Sequence, residues 1–172
     1  MRTIRKNIKL FSFITLLALA LVSCKSSKKT SSTYSPAKPR TQVDSRADKV
    51  ISTARYYTGT KYKFGGTTKA GMDCSGLTST AFRAVNIELP RTSAAQSTQG
   101  KTIKLSDVQA GDLVFFSFKN GSGKVSHVGI VTEVKGKDNV QFIHASTKAG
   151  VIEENLYAPY YKSVFVKAVR VL

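Results

Sequence analysis

"GMDCSGLTSTAFRAV", residues 71–85, decides the fold. From Asp73 onward, Leu77, Ala81, Phe82 and Val85 recur near i, i+4, i+5 and i+8, the spacing of one helix face. Asp73 stands where a side-chain oxygen caps a first turn. Cys74 therefore opens the helix, on a backbone kept open by Gly71 and Gly76. Helix N-termini favour an anion, and together with a neighbouring imidazolium they lower a thiol pKa from about 8.5 to between roughly 3.5 and 7.5. The rival reading is a cysteine buried as a small hydrophobe. Cys74 precedes Leu77 by three and can share its apolar face.

Outward from this helix the chain divides. Upstream, "RADKVISTARYYTGT" places Val50, Ile51, Ala54 and Tyr57 on one helical face, with Gly59 as the stop. "KYKFGGTTKAGM" is a loop, and "PRTSAAQSTQG" suits a short third helix. Downstream the period changes. Residues 112–118, 126–134, 140–146, 150–156 and 165–172 are β-rich runs separated by turn residues such as "KNGSGK" and "KGKDN". Helices first and strands after predict an α+β domain, with N-terminal helices packed on an antiparallel sheet of about five to six strands.

The N-terminus points to export. Arg2, Arg5, Lys6 and Lys9 precede an apolar run, Leu10–Val22, too short for a comfortable membrane span. "LVSC", residues 21–24, follows it. Residues 25–46 are Ser, Thr, Lys and Pro with almost nothing to bury, the composition of a disordered tether. Such a tether of about 22 residues spans roughly 25 Å on average and roughly 75 Å fully extended. The expected organisation is a signal peptide over 1–23, Cys24 with a basic tether over 24–46, and one domain over 47–172. The formal charge is +17. The domain carries 17 basic against 9 acidic side chains, a net +8. Such charge attracts anions generally. With an export signal, nucleic acid is set aside in favour of anionic headgroups and carboxylate-bearing wall polymers.

The chain has two cysteines and two histidines. His127 lies in "VSHVGIV" and His144 in "QFIHAS", on consecutive strands joined by "EVKGKDN". A short hairpin puts such residues side by side when the register suits. Thiol, base and a third group that fixes the base's tautomer are what nucleophilic catalysis by cysteine requires. Zinc held by Cys74, His127 and His144 is the competing reading. The long spacing lacks the close ligand pairs of zinc sites, so no metal or other cofactor is expected.

"YKFGGTTKAGMDCSGL", "LPRTSAAQ", "GDLVFF", "SHVGIV" and "FIHAS", in this order, resemble the NlpC-type bacterial cell-wall cysteine peptidases, which are papain-like. Within them the chain looks most like the Spr-type lipoprotein murein endopeptidases. The resemblance implies Cys74 as nucleophile, His127 as general base and then acid, and His144 as the orienting residue. It implies Tyr62 near the oxyanion, with the Cys74 N–H as a second donor. Such donors are each worth roughly 2.7–4 kcal/mol in other enzymes. Asp73 and Ser75 would line the substrate groove, and Arg91, Ser93 and Gln96 would face the substrate. For Asp73 a plain helix cap, and for Tyr62 a packed surface aromatic, remain the alternatives. "LVSC" resembles a lipobox, implying acylation of Cys24. Lys25, in place of an aspartate that retains lipoproteins at the inner membrane, points to the outer membrane facing the periplasm. The implied protein is a monomeric, lipid-anchored hydrolase of peptidoglycan peptides with a basic, narrow groove. Two rival functions stay open: a non-catalytic wall-binding tether lipoprotein and a thiol acyltransferase.

Overall fold

The computed structural model describes residues 42–118 and 123–172. The expected signal peptide, Cys24 and the tether as far as residue 41 lie outside the described residues. Helix α1 spans Gln42–Tyr56, so the last five residues read as tether, 42–46, are helical. Gly59, at φ +81°, takes a left-handed conformation just after it. The loop that follows contains a small hairpin the sequence did not announce, β1 (Thr67–Thr68) and β2 (Gly71–Met72).

Helix α2 runs Cys74–Arg83, and α3 is a single turn, Ser93–Gln96, shorter than the helix expected over 90–100. The sheet is built from β3 (Lys101–Ile103), β4 (Leu113–Phe116), β5 (His127–Gly136), β6 (Asn139–Ser146), β7 (Gly150–Asn155) and β8 (Phe165–Arg170). All neighbouring strands are antiparallel, in the order β3-β8-β4-β5-β6-β7. The six strands match the expected α+β class. Strand β3 and helix α4 (Pro159–Val164) were not foreseen, because three and six residues are too few to show a period.

Alternation along the strands gives the sheet two buried faces. Leu113 and Phe115 of β4, Val128 and Ile130 of β5, and Ile143 and Ala145 of β6 meet Val50 and Ala54 of α1 and Leu77, Ala81 and Phe82 of α2. Val114, Phe116, Phe142, Leu156 and Ala168 form the opposite core with Tyr161 of α4. Eight of the ten residues of α2 are buried, so this helix is the packed centre of the domain. Burying a side chain such as Leu77 or Phe82 contributes about 1.5–3 kcal/mol.

The free edge of β7 is closed by the turn after α1. Gly59 N–H donates to Val151 O at 2.9 Å and Val151 N–H donates to Thr60 O at 2.9 Å. On the same strand Glu153 pairs with Arg55 of α1 at 2.6 Å and accepts from Thr132 of β5 at 2.8 Å. Helix, edge strand and central strand are thereby fixed to one another. Glu154 consequently faces the other side of the sheet.

Candidate active site

Asp73 is the N-cap of α2 and accepts from Gly76 N–H through Oδ1 at 2.7 Å. Its Oδ2 accepts from Gly65 N–H, also at 2.7 Å. Arg91 grips both oxygens, Nη1 to Oδ1 at 3.0 Å and Nη2 to Oδ2 at 2.6 Å, and donates to Ser75 Oγ at 2.8 Å. Burial opposes the Asp73 charge, but the guanidinium and the N–H groups of Gly76 and Gly65 more than offset it, and its pKa lies below the ordinary value. Gly76 is required here. A Cβ at that position would stand 2.2 Å from Gly66 O, so only glycine admits the 65–66 turn against the helix.

This clamp seats Cys74 against the central strand. The N–H groups of Val128, Ser75 and Cys74 itself are directed at the sulfur and favour its anion. Cys74 is nonetheless 8% exposed. Burial dominates, the Asp73 charge adds to it, and the thiol pKa is pushed up. The expectation of a lowered thiol pKa is thus corrected: desolvation outweighs the helix end.

His127 begins β5, beside Val128. The register Ile130↔Ile143 places Gly129 opposite His144, with His127 diagonal to it on the same face. A Cβ on Gly129 would stand 2.6 Å from Phe142 and 3.2 Å from His144 Cβ, so glycine makes room for the pair. His127 Nε2 and His144 Nδ1 are 2.8 Å apart. Two nitrogens on one tetrahedral zinc would stand roughly 3.3 Å apart, so this contact fits a hydrogen bond better than shared metal ligation. Burial, and then His144, push the His127 pKa down to about 3. Burial also lowers His144, against the pull of Glu154. Burial thus opposes charge on the thiol and on both imidazoles.

Two residues absent from the sequence reading complete the cluster. Glu154 Oε2 lies 2.7 Å from His144 Nε2, and Tyr161 donates its hydroxyl to the same oxygen. Burial and Glu154 together raise the Tyr161 pKa, so the phenol keeps its proton. Counting back from the turn at 147–149 gives the signal that was available. It sets His144 opposite Ile152, and Glu154 is the next residue on that face of β7.

Cys74, Tyr62 and Ser126 line two cavities at once. The larger, about 580 Å³, contains His127, His144, Glu154, Phe118, Tyr160 and Lys148. The smaller, about 300 Å³, is walled by Asp73, Ser75, Arg91 and Ser93. A chain lying across the sulfur would occupy both. Basic Arg91 and Lys148 share these walls with acidic Asp73 and Glu154, so the groove is mixed in charge and not the basic one expected. Tyr62 is half-buried over the thiol, and burial and the nearby Cys74 and Asp73 raise its pKa.

Gln96 does not reach either cavity. It is fully buried, its Oε1 accepts from Thr78, and its Nε2 donates to Ser75 O, Ser79 Oγ and Pro90 O. It fastens α3 and the residue-90 turn to α2. The expectation that it faces substrate is corrected, because its amide is used up inside the protein.

A thiol on a helix N-terminus that shares a cavity with a histidine of an antiparallel sheet defines the class: a papain-like α+β domain. Residues 59–170 match the model of the NlpC/P60 family, and the chain belongs to that family. It is 42% identical over 115 residues to "Murein DD-endopeptidase MepS/Murein LD-carboxypeptidase" of Escherichia coli K12, covering 66% of this chain and 57% of that protein. It is 41% identical over 115 residues to "Probable endopeptidase NlpC" of the same organism, covering 66% of this chain and 70% of that one. Among solved structures, an NlpC/P60 family protein from Bacillus cereus ATCC 10987 superposes with a TM-score of 0.66 at 34% identity, over 73% of this chain and 40% of that chain.

Proposed function

We propose that the protein is a lipid-anchored peptidoglycan endopeptidase that hydrolyses amide bonds in stem peptides or crosslinks through a Cys74–His127–His144 triad. The observation that carries this reading is the coupled pair of imidazoles in the cavity that also holds Cys74. A binding module has no use for a thiol in one cavity with a hydrogen-bonded pair of imidazoles. The relatives named as murein endopeptidases supply the substrate class.

With His127 Nε2 joined to His144, Nδ1 is the nitrogen left for the thiol. Cys74 S–H passes its proton to His127 Nδ1 as sulfur attacks the carbonyl carbon. The charge on the carbonyl oxygen is met by the Cys74 N–H and the Tyr62 hydroxyl. Collapse breaks the C–N bond, and the His127 proton goes to the leaving amine. Water then gives a proton to His127 and attacks the thioester, and the thiol is restored as the acid leaves. Acylation of Cys24 would hold the domain at the outer membrane, facing the periplasm, through the residues between Cys24 and the start of α1 at Gln42. Several acyl chains together anchor firmly where one holds marginally.

The test is a digest of isolated peptidoglycan by the full-length chain, read by mass spectrometry of the soluble products. The expected result is new amine termini with wild type and none with Cys74→Ala. Transfer of an acyl group in place of hydrolysis, or wall binding with no release by either form, would refute the reading.

A further inference from the structure

The triad leaves one question of geometry open. A neutral His127 serves as base toward Cys74 only if its proton sits on Nε2, and nothing within the Cys74–His127–His144 set dictates that. The groups facing His144 are His127 from β5, Glu154 from β7 and Tyr161 from α4, with Phe142 stacked at 4.9 Å. We infer that Glu154, supported by Tyr161, is a positioning residue that fixes the tautomers of both histidines and so leaves His127 Nδ1 unprotonated toward the thiol. The inference rests on the triad reading above.

The argument follows the donors. A carboxylate only accepts. Glu154 Oε2, 2.7 Å from His144 Nε2, therefore requires the His144 proton on Nε2. His144 Nδ1 is then a bare acceptor, and the 2.8 Å contact requires the His127 proton on Nε2. His127 Nδ1 is left as a lone pair. Tyr161 bears on the same choice. Its hydroxyl lies 3.3 Å from His144 Nε2 and is, among the described residues, a donor able to reach it. While Glu154 accepts the phenol proton, Tyr161 does not compete. Without Glu154 the phenol would donate to His144 Nε2. Both imidazoles would then switch to Nδ1–H, and the base nitrogen would be blocked by a proton.

Glu154 sits where it can do this because β7 alternates. Glu153 on one face is held by Arg55 and Thr132, and Glu154 on the other is released to the groove. Phe116, Phe142 and Tyr161 pack together beside His144, with ring centroids 4.9–5.6 Å apart, and hold the phenol within reach of its Nε2. The arrangement parallels the carboxylate of serine-protease triads, where forcing the wrong tautomer costs about 10⁴ in kcat. It differs in acting one imidazole further away.

The chain has two histidines, so ring ¹⁵N NMR of the full-length protein labelled at histidine resolves both tautomers directly. Near neutral pH both rings of wild type are expected as Nε2–H. Glu154→Leu is expected to move His144 to Nδ1–H and to lower kcat on a soluble muropeptide about 10²-fold or more, with KM changed little. Both donors converge on one oxygen, so a carboxamide oxygen can keep both bonds. Glu154→Gln is expected to retain the wild-type tautomers and lose no more than about 10-fold in kcat. A wild type carrying Nδ1–H on His144 would overturn the inference. So would Glu154→Leu with wild-type tautomers and kcat. Should the leucine variant not fold, the wild-type spectrum decides alone. A wild type that shows both Nε2–H rings but cleaves no wall peptide would refute the peptidase reading and leave the tautomer inference supported.

Discussion

The two walls beside Cys74 each hold a carboxylate, and they are built in opposite ways. The wall around Asp73 is local. Asp73, Ser75 and Gly76 flank the sulfur in sequence, and beyond this run the side-chain bonds of Asp73 and Ser75 reach Gly65 and Arg91. The histidine wall is assembled from β5, β6, β7 and α4, and its geometry depends on two strand registers being correct. The nucleophile is thus placed by chain-local capping, and its base by long-range pairing. Damage to the first wall should appear mainly as lost stability, and damage to the second mainly as lost turnover.

The largest effect is expected from His127→Ala, which removes the base while leaving the Asp73 clamp intact. Turnover of a muropeptide should fall by about 10³-fold or more with the thermal midpoint nearly unchanged, as loss of a triad base does in other enzymes. A comparable loss of stability would break the comparison. Arg91→Met attacks the local wall. It leaves a buried carboxylate with the N–H groups of Gly65 and Gly76 and the Ser75 hydroxyl but no cation, and should cost about 1–3 kcal/mol in denaturant unfolding at neutral pH. The sign with pH is fixed by the lowered Asp73 pKa. Stability from the pair is full above the unfolded value of about 3.9 and is lost as pH falls through the folded one. The gap between wild type and Arg91→Met should therefore close in acid, and a gap constant to pH 2 would count against it.

Gly129→Ala sharpens the contrast from the other side. The added methyl meets Phe142 and the Ile143 carbonyl, an overpacking worth about 1–3 kcal/mol, and it displaces His144. Turnover should fall further than that stability loss alone would explain, measured at a temperature where both proteins are folded. The smallest effect is one of shape. Alkylation of Cys74 by iodoacetamide should still be rising with pH beyond the range of an ordinary thiol, because burial holds the thiol up. A plateau already reached below pH 7 would indicate a resting thiolate instead.

Legibility in the sequence follows the same division. The α2 face, its Asp73 cap and the position of Cys74 could be read because every relation lies within one short run, Asp73 to Val85. The pairing of His127 with His144 could be read because a short hairpin joins their strands. Glu154 was hidden in "GVIEENL", where two adjacent glutamates face opposite sides and only the β6–β7 register tells them apart. Tyr161 sits on a six-residue helix with no period of its own. Gln96 was misread because composition gives no sign that four polar atoms of the interior surround its amide. The thiol's raised pKa escaped for a related reason: burial is a property of the assembled core, and the helix end alone predicts the reverse.

Covalent catalysis by Cys74 is the central claim, and trapping tests it most directly. A soluble crosslinked muropeptide would be digested by the full-length chain with and without hydroxylamine, and the new carboxyl terminus weighed. A thioester intermediate predicts a hydroxamate at that terminus with wild type and no product with Cys74→Ala. Free acid alone in the presence of hydroxylamine, or turnover that survives Cys74→Ala, would contradict the account.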